Sequence, residues 1–189
     1  MSAAGHSPVP LPGVRTPAAG FDEPFAMLAA CHERVTRSLE LLRRLLGHAQ
    51  TVGADADVRA AAHDVWRYFE LAAPAHHADE ELHLLPRLRA SGDPWLAAVA
   101  RRMQADHEAL HELWSQLGPR LRELCDARCT PTPAGLRALG DLADAFIELH
   151  QRHLALEDDV AFPRARQLIN ADDERAMGDE MARRRQTTG

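Results

Sequence analysis

Seven residues carry the types and spacing that could do chemistry: His32, His76, Glu80, His107, His111, His153 and Glu157. Four of them lie in two matching segments, H-H-A-D-E-E-L-H-L-L-P from His76 to Pro86 and H-L-A-L-E-D-D-V-A-F-P from His153 to Pro163. Both segments read His-x3-Glu-x5-Pro. The echo extends upstream, with His32 standing 44 residues before His76 and His107 standing 46 before His153. Such self-similarity marks an internal duplication. Imidazole nitrogens and carboxylate oxygens are metal ligands. Residues at i and i+4 lie one above the other on a helix face, so His76/Glu80, His107/His111 and His153/Glu157 can each chelate.

The elements that must position these groups are helices. The chain has 189 residues, enough for one domain with a sizeable core; hydrophobic residues make up 46% and aromatics only 5%. Ala, Leu, Glu and Arg dominate, a mixture that favours helix over strand. Residues 1–20 are rich in Pro, Gly, Ala and Ser without periodicity and read as a flexible leader. The first helix is expected from Asp22 or Glu23, with Pro24 in its first turn and His32 on the stripe of Phe25, Leu28, Val35, Leu39, Leu42 and Leu46. The second runs from Asp55 to Arg89, with Pro74 kinking it just before His76. Asp93-Pro94 opens the third, which turns Val99, Met103, His107, Leu110, His111, Trp114 and Leu117 inward and ends near Cys129. Thr132-Pro133 opens the fourth, carrying Phe146, Leu149, His153, Leu156, Glu157 and Val160 inward. The pattern predicts an all-α fold, an antiparallel up-down four-helix bundle over residues 21–170, with a short charged terminal helix and tail over 171–189.

Core positions of a bundle want Leu or Ile, and burying an uncompensated carboxylate costs several kcal/mol. Yet all seven residues fall on inward stripes at similar depth. Five imidazoles and two carboxylates sharing one core require neutralisation, and one or two divalent or trivalent cations supply it. Two His-x3-Glu pairs compete on the second helix. Heptad steps back from His76 reach Phe69 and Ala62, whereas steps back from His77 reach Glu70 and His63, so His76/Glu80 is the inward pair. His77 and Glu81 then fall on the flank of the seam as outer or solvated groups, with Glu81 a candidate partner for an arginine. His48, His63, His83 and His150 are read as non-ligands. His150, seven residues before Glu157 on the same face, is the candidate outer hydrogen-bond partner.

The net charge of −6 excludes the basic face that nucleic-acid binding wants. All 22 basic residues are arginine, read as compositional bias without functional content. No apolar run approaches the ~20 residues of a membrane span, and the N-terminus lacks the regions of a signal peptide. Cys31, Cys125 and Cys129 form an odd set without a disulfide framework, which suits a reducing cytoplasm.

The paired His-x3-Glu-x5-Pro segments, together with His-x3-His on the third helix, resemble the hemerythrin-like, or HHE cation-binding, family over about residues 22–170. The resemblance implies a four-helix bundle holding two iron ions as an oxo- or hydroxo-bridged non-haem centre. It assigns His107, His111 and His153 to one iron, His32 and His76 to the other, and Glu80 and Glu157 to the bridge. The second iron is then one protein ligand short, where oxygen binds in members that carry it. Oxygen-carrying members place the last carboxylate five residues after the histidine of the fourth helix, here Asp158; others use the position of Glu157, and this chain has both. The expected function is binding or sensing of O2, NO or peroxide by a protein that is not itself an enzyme, as a monomer or homodimer. The alternatives are a di-iron oxidase or peroxidase, against which the histidine-rich set argues, and a Zn or Mn structural module.

Overall fold

The computed structural model describes residues 20–187, and over them the chain is helical with no strand. The leader expected over residues 1–20 lies outside the described residues except for Gly20. In chain order the elements are α1 (Pro24–Val52), α2 (Ala56–Arg67), a π-helical turn (Tyr68–Ala72), α3 (Ala73–His83), α4 (Leu85–Ala90), α5 (Pro94–Cys125), α6 (Pro133–Leu156), a second π-helical turn (Glu157–Ala161), α7 (Phe162–Leu168) and α8 (Ala171–Thr187).

Helix starts follow local chemistry. The side chains of Asp55, Asp93 and Thr132 accept from the backbone N–H groups of Val58, Trp95 and Gly135, satisfying donors that the first helical turn leaves unpaired. Pro24, Pro94 and Pro133 occupy first-turn positions, where a missing N–H costs nothing. Asn170 caps α8 through Asp173 N–H. The turns after α1 and α4 use Gly53 (φ 92°) and Gly92 (φ 79°), a backbone region where a side chain would be strained.

Proline also decides where the helices break. Pro74 cannot donate to the carbonyl of Glu70. The chain absorbs that loss in a π turn, in which Ala73 N–H bonds the Tyr68 carbonyl, rather than in a simple kink. Pro163 follows the second π turn in the same way, with Phe162 N–H bonding the Glu157 carbonyl. The helices expected as single rods over 55–89 and from Thr132 onward are therefore each built of several pieces. α5 stops at Cys125, short of the expected Cys129, and Asp126 N–H turns back to the Glu123 carbonyl. Cys129 thus leaves the helix. It and Cys125 are half-buried free thiols, while Cys31 is buried.

α1 packs on α2 and α6, and α5 packs on α2, α4 and α6. Two apolar clusters fill the interior. One gathers Val35, Leu39, Leu42, Phe69, Leu110, Leu117, Phe146 and Ile147; the other gathers Phe25, Leu28, Leu84, Leu88, Met103 and Phe162. His32, His76, Glu80, His107, His153 and Glu157 are buried in the stretches of chain that join them. A polar layer therefore lies between two dry ones.

α8, expected only as a short charged terminal helix, contributes to the interior. It inserts Met177 and Met181 into the second apolar cluster. Its Arg184 and Arg185 also bind the fully buried carboxylate of Asp79 on α3, with Arg185 Nη2 2.5 Å from Asp79 Oδ2. Met181 is 0% exposed, so Met181→Ala should cost roughly 2–5 kcal/mol in urea denaturation through lost transfer energy and a cavity. A change below about 0.5 kcal/mol, the scale of surface substitutions, would mean that α8 is not docked as described.

Candidate metal centre

Five histidines and two glutamates converge from four stretches of chain. α1 brings His32; α3 brings His76, His77 and Glu80; α5 brings His107; α6 and the turn after it bring His153 and Glu157. The second π turn begins at Glu157, so the residue that enters the site is also the one at which the helix widens.

The two carboxylates divide their oxygens. Glu80 Oε1 lies 3.3 Å from His76 Nε2 and 3.9 Å from His32 Nε2, while its Oε2 lies 3.3 Å from His107 Nε2. Glu157 Oε2 lies 3.2 Å from His32 Nε2, while its Oε1 lies 2.8 Å from His153 Nε2 and 3.9 Å from His107 Nε2. Each carboxylate therefore faces both imidazole sets. Despite this closeness none of these atoms has a hydrogen-bond partner of sound geometry among the described residues: the Nε2 atoms of His32, His76, His107 and His153 and all four carboxylate oxygens are buried and unsatisfied. Buried polar atoms are almost always paired, so a cluster of orphans on facing groups is a site built for something the protein does not supply. A metal ion fits this donor set. Three groups have ligand atoms within 4.8 Å of one another and could hold a cation: His32 with His76, Glu80 and Glu157; Glu80 with His107, His153 and Glu157; and His77 with His107 and His153.

Electrostatics agree. Burial works to raise the Glu157 carboxyl, but His153, His107 and His32 hold it well below the usual carboxylate range. Burial works to depress the His32 and His107 imidazoles, yet the facing carboxylates of Glu157 and Glu80 raise both to about 10. Without a cation, these two rings therefore hold protons at neutral pH as the nearest available positive charge. A metal ion held there would supply that positive charge in place of the protons. His76 and His77 are instead pushed down by burial, His77 well below its ordinary value with help from His107 and His76.

A second set of carboxylates orients the rings from behind. Asp158 Oδ1 lies 2.8 Å from His32 Nδ1, and Glu81 Oε1 lies 2.8 Å from His107 Nδ1. Asp106 Oδ2 lies 3.7 Å from His153 Nδ1 and is itself held by Arg102 Nε at 2.8 and 2.9 Å. A carboxylate on the outer nitrogen fixes the tautomer that leaves Nε2 free to bind metal.

Six of the seven expected residues meet in this layer; His111 does not. It is exposed and lines the adjoining cavity, one helical turn past His107. The fifth imidazole is instead His77, which stacks on His107 with ring centroids 4.2 Å apart. Its flank position reaches across to α5. Glu81, expected to pair an arginine, serves His107 and lies 3.5 Å from Gln104 Nε2. Asp158, the rival for the bridge, binds the outside of His32 while Glu157 faces inward. His150 does not bond a ligand; its Nδ1 donates to the Phe146 carbonyl at 3.1 Å, and burial lowers its pKa to about 3.

A buried His/Glu layer able to hold cations, set in a helical bundle, defines a metal-binding helical protein. Residues 23–165 match the hemerythrin HHE cation-binding domain, and the chain belongs to that family. It is also 33% identical over 168 residues, 89% of this chain and 93% of the relative, to an uncharacterized protein of Haemophilus influenzae (strain ATCC 51907 / DSM 11121 / KW20 / Rd).

The two candidates for the fifth imidazole separate cleanly by mutation. His77→Ala should lower bound metal per chain, and His111→Ala should leave it unchanged, as read by elemental analysis of purified protein. The reverse pattern would return the position to His111.

Proposed function

We propose that this protein is a non-haem di-iron protein that binds or senses a small ligand such as O2 or NO. The observation that carries this reading is the split of Glu80 and Glu157, each presenting one orphaned oxygen to each imidazole set. Two carboxylates so divided suit two ions side by side better than one. In this reading His32 and His76 hold one ion, His77, His107 and His153 hold the other, and Glu80 and Glu157 serve both. The four long helical stretches then run up and down around the pair. The fold family favours iron, although nitrogen and oxygen donors also suit Zn or Mn.

A pair of iron ions held there would supply redox chemistry and an affinity for diatomic ligands. The chain's own contribution is unequal. The His32 side offers two imidazoles and the other side three, so room for an external ligand belongs beside His32 and His76. Phe162 stacks on the His32 ring at 4.8 Å and shields that side with an apolar face. Asp158 and Glu81 hold one ring of each set in position. Five histidines to two carboxylates leave more positive charge on the metals than the carboxylate-rich sites of di-iron oxidases, which favours binding over oxidation.

An oxidase or peroxidase is the second reading, and one observation favours it: a cavity larger than a diatomic ligand requires ends on His77 and His107. Iron-replete expression should give close to two irons per chain. The reduced protein should show an absorption change on exposure to O2, which His32→Leu abolishes while keeping part of the iron. Full zinc occupancy without iron would contradict the proposal. A normal O2 response in His32→Leu would place the open position elsewhere.

A further inference from the structure

The cavity beside the His/Glu layer measures about 380 Å³. An apolar cavity of ~150 Å³ already takes benzene, so this space is sized for an organic ring. Its walls are aromatic and rigid. Phe69 lies 5.0 Å from Phe146 and 5.4 Å from Trp114 between ring centroids, and Trp114 Nε1 is fixed by donating to Glu70 at 3.0 Å. Ala73, Pro74 and Ala78 add small apolar surface. Among the described residues no arginine lines the cavity, which leaves a carboxylate or phosphate without a guanidinium partner there.

His77, His107 and His111 line it on the side of the layer, and acceptors line it as well. His150 lines the cavity at 2% exposure. Because a carbonyl oxygen can only accept, the His150 Nδ1 facing Phe146 O at 3.1 Å carries the hydrogen. Nε2 of the neutral ring is then a lone pair, and no protein hydrogen bond reaches it among the described residues. The atom is not among the buried orphans of the interior, so it opens into the cavity, where a ligand's donor can reach it. Glu81 and Glu108, which also line the cavity, are acceptors too.

We propose that this cavity is a binding site for a small neutral aromatic alcohol, a single phenolic ring whose hydroxyl donates to His150 Nε2 and whose faces pack on Phe69, Phe146 and Trp114. Aromatic walls select a flat ring through offset and edge contacts, and the His150 acceptor facing the cavity selects the hydroxyl. The cavity borders His77 and His107, which the proposed function makes metal ligands, but its aromatic walls and the His150 acceptor do not depend on which metal they hold.

Calorimetric titration of the intact protein with phenol, and with toluene as the analogue lacking the hydroxyl, tests this. Phenol should bind saturably at one site per chain and about tenfold tighter than toluene, the discrimination one net hydrogen bond supports. Ala78→Phe, which fills the cavity, should abolish binding. His150→Phe, which keeps a ring and removes the acceptor, should bring phenol and toluene to equal affinity. Absence of saturable phenol binding, equal affinity for the two probes in the unmodified protein, or phenol preference persisting in His150→Phe would each overturn the proposal. Metal content measured on the same samples reports on the metal reading separately.

Discussion

The structure depends on how two carboxylates can be buried at the centre of a helical bundle. Glu80 and Glu157 are both 0% exposed, and among the described residues none of their oxygens finds a hydrogen bond of sound geometry. An isolated buried carboxylate costs several kcal/mol, a sizeable part of the ~5–15 kcal/mol that stabilises a typical domain. Positive charge must therefore sit among them. Protonated His32 and His107 supply it in part, as their raised pKa values show. A cation shared by both carboxylates would supply it more completely.

The rest of the architecture can be understood as keeping that polar layer narrow and its groups aimed. Apolar clusters close it from above and below, which keeps water from competing for the charges. Prolines beside the layer turn ordinary helix into π turns or breaks, and these set the phase of Glu157 and of the α3 residues. Asp158 and Glu81 lock ring orientation through the outer nitrogens, while Asp106 stands behind His153. α8 reinforces α3 from outside, since Arg184 and Arg185 both hold Asp79, the residue next to Glu80. One cavity reaches the layer on the His77 side and another opening reaches it beside His32 and Asp158; the aromatic walls of the first give it a chemistry of its own.

Much of this was legible in the sequence because repetition and helical spacing are strong signals. His-x3-Glu-x5-Pro occurs twice, and buried helix positions holding His and Glu rather than Leu point to metal without any fold knowledge. Asp55, Asp93-Pro94 and Thr132-Pro133 mark their helix starts for the same local reason that they cap them. That His77 rather than His111 meets His107 and His153 was hidden, because a heptad count gives the angle of a residue and not how far its ring reaches. His77 sits on the flank, yet α5 is close enough for its ring to stack on His107. The doublet His76-His77 followed by Glu80-Glu81 was the available clue, since it offers both faces of one seam. The roles of Asp158, Asp106 and Asp79 rest on partners 126, 47 and 105 residues away in sequence, and no local pattern encodes such pairings.

The most direct test of the account is thermal unfolding of the protein as purified and after removal of metal by a chelator. A ligand held at a hundred to a thousand times its dissociation constant adds ~3–4 kcal/mol, or about 10 °C for a chain of this size. The account predicts a fall of that order on chelation, recovered when metal is returned. An unchanged melting temperature, in protein shown to have carried metal before and none after, would contradict the claim that a cation completes the buried layer.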